Sequence, residues 1–97
     1  MFDIAKIVGF DWDAGNARKN DKHNVSMAEA EQVFFNEPLL IVADKEHSEH
    51  EARLHALGKA DDGRRVHVTF TVRDNKIRVI SARDMHRRER ATYAQAT

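Results

Sequence analysis

Residues 64–83, RRVHVTFTVRDNKIRVISAR, decide the fold. In the first half Val66, Val68, Phe70 and Val72 fall on one side of an extended chain, and His67, Thr69 and Thr71 fall on the other. RDNK (73–76) is turn chemistry, and IRVISAR (77–83) alternates again, Ile77, Val79, Ser81 and Arg83 against Arg78, Ile80 and Ala82. Two alternating runs joined by a tight turn predict an antiparallel hairpin with one buried and one wetter face.

Upstream, DDG (61–63) is a second turn, and ARLHALGK (52–59) before it supplies another extended run in which Arg53, His55 and Leu57 point one way and Leu54 and Ala56 the other. LLIVA (39–43) is a further short apolar run. Nearer the start, FDWD (10–13) predicts a short strand, and a weak helix follows over 14–22, with Asp13 as N-cap and Asn24 in the left-handed conformation that ends it. Ser26 and Glu29 form a capping box for a helix over 27–35, carried by Met27, Ala30, Val33 and Phe34 and closed by Pro38. DMHRRERATYAQ (84–95) has helical character. The whole predicts an α+β fold, with two N-terminal helices and a C-terminal helix on an antiparallel meander of three or four strands after an initial strand.

Ninety-seven residues without repeats or low-complexity tracts make one domain, 1–97, with a modest core. The absence of cysteine excludes disulfides and thiolate metal sites. No apolar run reaches bilayer length, and the N-terminus lacks signal-peptide character, so a soluble cytoplasmic protein is expected. The formal net charge of zero conceals an asymmetry. Residues 1–62 hold 7 Lys+Arg against 13 Asp+Glu, net −6, whereas residues 63–97 hold 9 against 3, net +6, with eight of the nine cations arginine. Such a patch suits a polyanion or an acidic protein, unless it is simply a solvated face.

KEHSEHEARLH (45–55) concentrates three histidines and three glutamates. His47, His50 and Glu51 would share a helical face and could suit zinc, but no apolar stripe holds a helix there, no fourth ligand is evident, and the H-E-x-x-H order is missing. The preferred reading is an acidic loop that delivers Arg53 onto a strand, with a polar active-site rim as the competing one; no metal or other cofactor is expected.

FDWD (10–13), KNDKHNVS (19–26), AEQVF (30–34), DKEHSEHEARLHALG (44–58) and, most specifically, IRVISARDM (77–85) followed by RER (88–90) and Tyr93 resemble the BrnT family of type II toxin–antitoxin toxins from about Phe10 to Tyr93. The resemblance implies a RelE-like fold and metal-independent endonucleolytic cleavage of RNA that arrests translation. It also implies neutralisation by a ribbon-helix-helix antitoxin, BrnA, which supplies most of the contact to operator DNA. Three features depart from the family pattern. Asn24 stands where the family has glycine after Lys22 and His23, the segment between Asn20 and His23 is one residue shorter, and His86 replaces the Thr or Asn opposite Glu89. The last change predicts a helix start weaker by roughly 0.5–2 kcal/mol.

On that resemblance, the expected chemistry is attack of a 2′-hydroxyl on the adjacent phosphorus, leaving a cyclic phosphate. His23 is the first candidate for proton transfer, because an imidazole titrates near neutrality. Lys22 shares that role only if its pKa is lowered. Arg53 and Arg83 are candidates to hold the scissile phosphate, with His47 and Glu51 on the rim. Arg78, Arg87 and Arg90 are expected to provide a general RNA- or antitoxin-facing surface. Tyr93 reads as packing before base stacking, and Phe10 and Trp12 as core or interface anchors. Arg53 pairing with Asp44 or Glu51, and Arg83 with Glu89, are the plain structural alternatives. The other functional class is a non-catalytic binding module whose arginines engage an acidic partner.

Overall fold

A computed structural model describes residues 2–48 and 50–96, the side chains of residues 19–22 excepted. The elements are β1 (Gly9–Phe10), α1 (Ala14–Lys22), α2 (Met27–Gln32), β2 (Leu40–Asp44), β3 (Arg53–Lys59), β4 (Arg65–Arg73), β5 (Lys76–Asp84) and α3 (Arg87–Ala94). Short 3-10 turns occupy Ile4–Lys6 and Val33–Phe35. No helix among the described residues is long and apolar enough to cross a membrane.

Local capping chemistry sets the helix ends. The Asp13 carboxylate accepts from the N–H groups of Gly15 and Asn16, while Asn16 Oδ1 accepts from Asp13 N–H at 2.7 Å. Asn24 has φ 57°, the left-handed conformation expected of it. Ser26 and Glu29 exchange two 3.0 Å bonds as a capping box. The expected single helix over 27–35 tightens after Gln32 into the 3-10 turn, which presses Val33 onto Gly58: a Cβ there would stand 2.7 Å from Val33 Cγ1. At α3, Glu89 accepts from His86 N–H at 2.8 Å, so the box retains its carboxylate half despite the histidine.

The sheet runs β1-β5-β4-β3-β2. Strands β2 to β5 form the antiparallel meander, but β1 joins β5 in parallel through Gly9↔Lys76 and Phe10↔Ile77, so the sheet is mixed rather than purely antiparallel. Parallel pairing needs a long crossover, here supplied by α1 through β4. β1 is only two residues long, and no local pattern announces its partner.

One face of the sheet carries the main core. Val66, Val68 and Phe70 of β4 lie there with Ala56, Ile77, Val79 and Ala82, closed by Val25, Ala30, Val33 and Phe34. The Phe70 and Phe34 rings meet edge-on at 5.0 Å, and Phe2, Phe10 and Trp12 pack around them. Phe10 and Trp12 are thus anchors of this core, and Trp12 Nε1 donates to Glu31 at 2.7 Å.

β5 departs from simple alternation. Thr69 pairs with Ser81 and Phe70 with Val79, leaving Ile80 as an extra residue in a bulge. Beyond it the faces exchange. Ala82 opposes Val68 in the core, whereas Ser81 and Arg83 oppose Thr69 and His67 on the other face and join Arg78 there, opposite Thr71. The expected grouping of Ser81 and Arg83 with Ile77 and Val79 is therefore corrected. The second face is also drier than alternation implies. His67, Thr69 and Thr71 are 7%, 7% and 3% exposed. α3 covers its lower end through Met85 and Tyr93 against Leu57, and Thr71 donates to the carbonyl of Ala52 at 2.7 Å.

Candidate active site

The second face carries, in register, Val42 and Asp44 from β2, Arg53 and His55 from β3, His67, Thr69 and Thr71 from β4, and Arg78, Ser81 and Arg83 from β5. It is shaped into two depressions. One, of about 440 Å³, is lined by Glu46, His47, His50, Glu51, Arg53, Thr71 and Ile80. The other, of about 470 Å³, includes Val42, His55, His67, Ser81, Arg83 and Glu89.

His55 lines the second of them. Its Nε2 lies 2.9 Å from Asp44 Oδ2 and its Nδ1 lies 3.1 Å from Thr69 Oγ1, with the side chain 31% exposed. An ionised carboxylate only accepts, so Nε2 carries a proton toward Asp44 and Nδ1 is left to accept from the Thr69 hydroxyl in the neutral ring. Asp44 also receives His47 Nδ1 at 3.0 Å and His47 N–H at 3.2 Å. Burial pushes the Asp44 carboxyl up, but the bonds from His55 and His47 prevail and hold it below the ordinary aspartate value. The loop that brings His47 over is pinned by Ser48, whose hydroxyl donates to the Asp44 carbonyl and accepts from Arg53 N–H.

The His67 ring lies 4.9 Å from that of His55. Its Nδ1 is buried without a hydrogen-bond partner among the described residues, and its Nε2 is 3.9 Å from Glu89 Oε2. Burial, followed by the nearby Arg83 cation, lowers its pKa to about 4, so His67 is neutral at physiological pH. Burial raises the Glu89 carboxyl, yet bonds from Arg83 and the His86 N–H overcome this and bring it to about 2. Arg83 forks onto Glu89 at 2.8 and 3.0 Å, as the structural alternative anticipated, and also donates to the Asp84 carbonyl.

The other sequence candidates separate. The Arg53 side chain makes no hydrogen bond or ion pair among the described residues, and Asp44, a proposed mate, is taken by the two histidines. Glu51 pairs with Arg73 at 2.6 Å, and Arg78 with Asp13 at 2.8 Å and Asp11 at 3.5 Å. Arg90 donates to the Met85 carbonyl, Arg87 is exposed, and Tyr93 is buried with its hydroxyl donating to the Pro38 carbonyl at 2.7 Å. His23 is exposed just beyond α1, next to Asn24, whose carbonyl takes a bond from Arg64. The Lys22 side chain and Glu49 lie outside the described residues. Arg53 and Arg83 share a face but stand four residues apart along the strands and two strands apart across them, roughly 16 Å between backbones. They can touch one nucleic-acid strand at two places rather than one phosphate together.

Sequence reasoning did not single out His55, His67, Asp44, Thr69 or Glu89 as site residues. The available signal was the alternation of His67 with Thr69 and of Arg53 with His55, polar residues spaced to share a face. Among the described residues, no group of three His, Cys, Asp or Glu side chains could hold a metal ion.

No curated protein matches the chain. A family profile described as the ribonuclease toxin, BrnT, of type II toxin–antitoxin systems does match, over residues 12–89, a span running from Trp12 through β2–β5 to Glu89. The chain belongs to this family of ribonuclease toxins, whose type II systems pair each toxin with an antitoxin.

Proposed function

We propose that the protein is an endoribonuclease that cleaves RNA without a metal, on the sheet face centred on His55. The observation that carries this reading is an imidazole fixed between Asp44 and Thr69, beside an arginine that makes no ion pair among the described residues. Arg53 lies two residues from His55 on the same strand and face, about 7 Å away. It is the group proposed to hold the scissile phosphate and to stabilise the charge of the phosphorane. Arg83, restrained by Glu89, contacts a neighbouring part of the strand.

In the proposed step, the Thr69 hydroxyl turns away from His55 Nδ1, and the 2′-hydroxyl proton passes to that nitrogen as the 2′ oxygen bonds to phosphorus. The bond from phosphorus to the 5′ oxygen breaks, and that oxygen takes a proton from His47, which leans on the same carboxylate. The products are a 2′,3′-cyclic phosphate and a 5′-hydroxyl. A base, an acid and a cation suffice for this chemistry, so no metal is required. Proton transfer is thereby assigned to His55 in preference to His23 and Lys22, because His55 has an orienting carboxylate and lies beside the free arginine.

Family membership supports the rest of the reading: translation arrest through RNA loss, and silencing by a ribbon-helix-helix antitoxin of the BrnA kind that places acidic groups against the arginines. The test is cleavage of a defined RNA in EDTA by wild type, His55→Asn, Arg53→Ala and His23→Ala. We expect about a 10²–10⁴-fold loss for His55→Asn, a comparable fall for Arg53→Ala, and retention within a few-fold for His23→Ala. Loss in His23→Ala with activity in His55→Asn would return proton transfer to His23. RNA left intact by wild type would favour the non-catalytic binding module.

A further inference from the structure

At the end of the sheet where β2 stops and β3 begins, a slot of about 360 Å³ opens on the core side. Its wall is mainly apolar, formed by Phe2, Ile7, Ala43, Leu54 and Val72. Three charged groups border it, Asp3, Lys6 and Arg53. Asp3 caps the first turn, its carboxylate accepting from Ala5 N–H at 3.0 Å, and offsets one of the two cations. Lys6 and Arg53 have no ion pair among the described residues, so the mouth carries an unmatched positive charge. Arg53 also lines the depression on the opposite, His55-bearing face.

We propose that this slot is the anchor point of the antitoxin, taking an apolar side chain whose acidic neighbours along the peptide pair with Lys6 and Arg53. The proposal rests on the partner reading given above and specifies where silencing occurs. An apolar slot rimmed by unpaired cations fits an acidic peptide carrying an apolar anchor. It does not fit the RNA strand, whose phosphates would have to enter an apolar wall on the side of the sheet away from His55. The shared arginine supplies the coupling. A carboxylate held on Arg53 from the slot side occupies the cation that the scissile phosphate needs, so one anchor residue both docks the partner and disarms the site.

The test uses the full chain and three blocked hexapeptides. One has a central Leu-Phe pair flanked by Asp and Glu, the second has the acids replaced by Lys, and the third keeps the acids but replaces Leu-Phe by Ser-Ser. Amide shifts in a ¹⁵N-correlation spectrum report binding without relying on activity. The first peptide should shift Ala43, Arg53, Leu54 and Val72 and, at saturation, suppress RNA cleavage. The other two should bind at least tenfold more weakly. Ala43→Phe, which fills the slot from an exposed position of β2 without placing a charge beside Arg53, should weaken the first peptide at least tenfold while leaving RNA cleavage unchanged; Ala52→Phe serves if the first variant does not fold. Equal binding of the lysine peptide, shifts confined to other residues, or shifts at the slot from an RNA dinucleotide instead would overturn the proposal. If wild type fails to cut RNA while the acidic peptide still fills the slot, the cleavage reading fails and the docking site stands. If wild type cuts RNA and the peptide neither binds nor inhibits, the docking site fails alone.

Discussion

Replacing His67 with Gln should remove a specific part of the acid sensitivity of this fold. His67 is buried on the sheet face, with its side chain 9% exposed, and the groups facing it are His55 on β3, Arg83 on β5 and Glu89 on α3. Its pKa is about 4 in the folded protein against 6.5 for a free imidazole. The folded value is the lower one, so between pH 6.5 and 4 the unfolded chain binds a proton that the folded chain does not. Stability is then complete above pH 6.5 and declines as the pH falls through this window. At about 1.4 kcal/mol per pH unit, wild type should lose on the order of 2–3 kcal/mol from this group between pH 6.5 and 4.5. The carboxylates with lowered values, among them Asp44 and Glu89, lose their contribution only below their ordinary range, so they add little in the same interval. Urea unfolding followed by circular dichroism at pH 7.0, 6.0, 5.0 and 4.5 measures the slope directly. His67→Gln should be less stable than wild type at pH 7 yet flatter with pH. Parallel curves for the two proteins would refute the buried neutral imidazole.

Two further substitutions probe the scaffold. Gly58→Ala should cost about 1–3 kcal/mol in the same unfolding assay, because the added methyl meets both the side chain and the carbonyl of Val33; a neutral result would mean that the 3-10 turn yields easily. Arg64→Met should cost about 1–3 kcal/mol at pH 7, since Arg64 ties Asp84 to Glu29 and to the Asn24 carbonyl. That difference should shrink as the pH falls below the ordinary carboxylate range, because the Ser26 N–H and then this guanidinium hold Glu29 below its usual value and the guanidinium does the same for Asp84.

What could be read from the sequence was what is local. The Asp13 and Ser26–Glu29 caps, the left-handed Asn24 and the RDNK turn each depend on residues within a few positions, and each is present. The parallel partnership of Phe10 with Ile77 depends on where a distant strand happens to lie. The bulge at Ile80 carries no glycine or proline to mark it, so the IRVISAR alternation runs on in the sequence after it has ended in space. The same division runs through the site. Arg53 was visible as a cation on a strand, but His55 gains its meaning only from Asp44 and Thr69, eleven and fourteen residues away and brought to it by strand register.

The extra residue in β5 also gives that strand room to lose one position without losing its register. An in-frame loss of the Ile80 codon would remove the bulge and leave strict alternation with every remaining side chain on its present face, Ser81 and Arg83 beside Thr69 and His67 and Ala82 against Val68. Cells surviving an unopposed copy of this gene should therefore carry changes at His55 or Arg53 in preference to a three-nucleotide deletion at Ile80, a genetic signature that a strand without the irregularity would not leave.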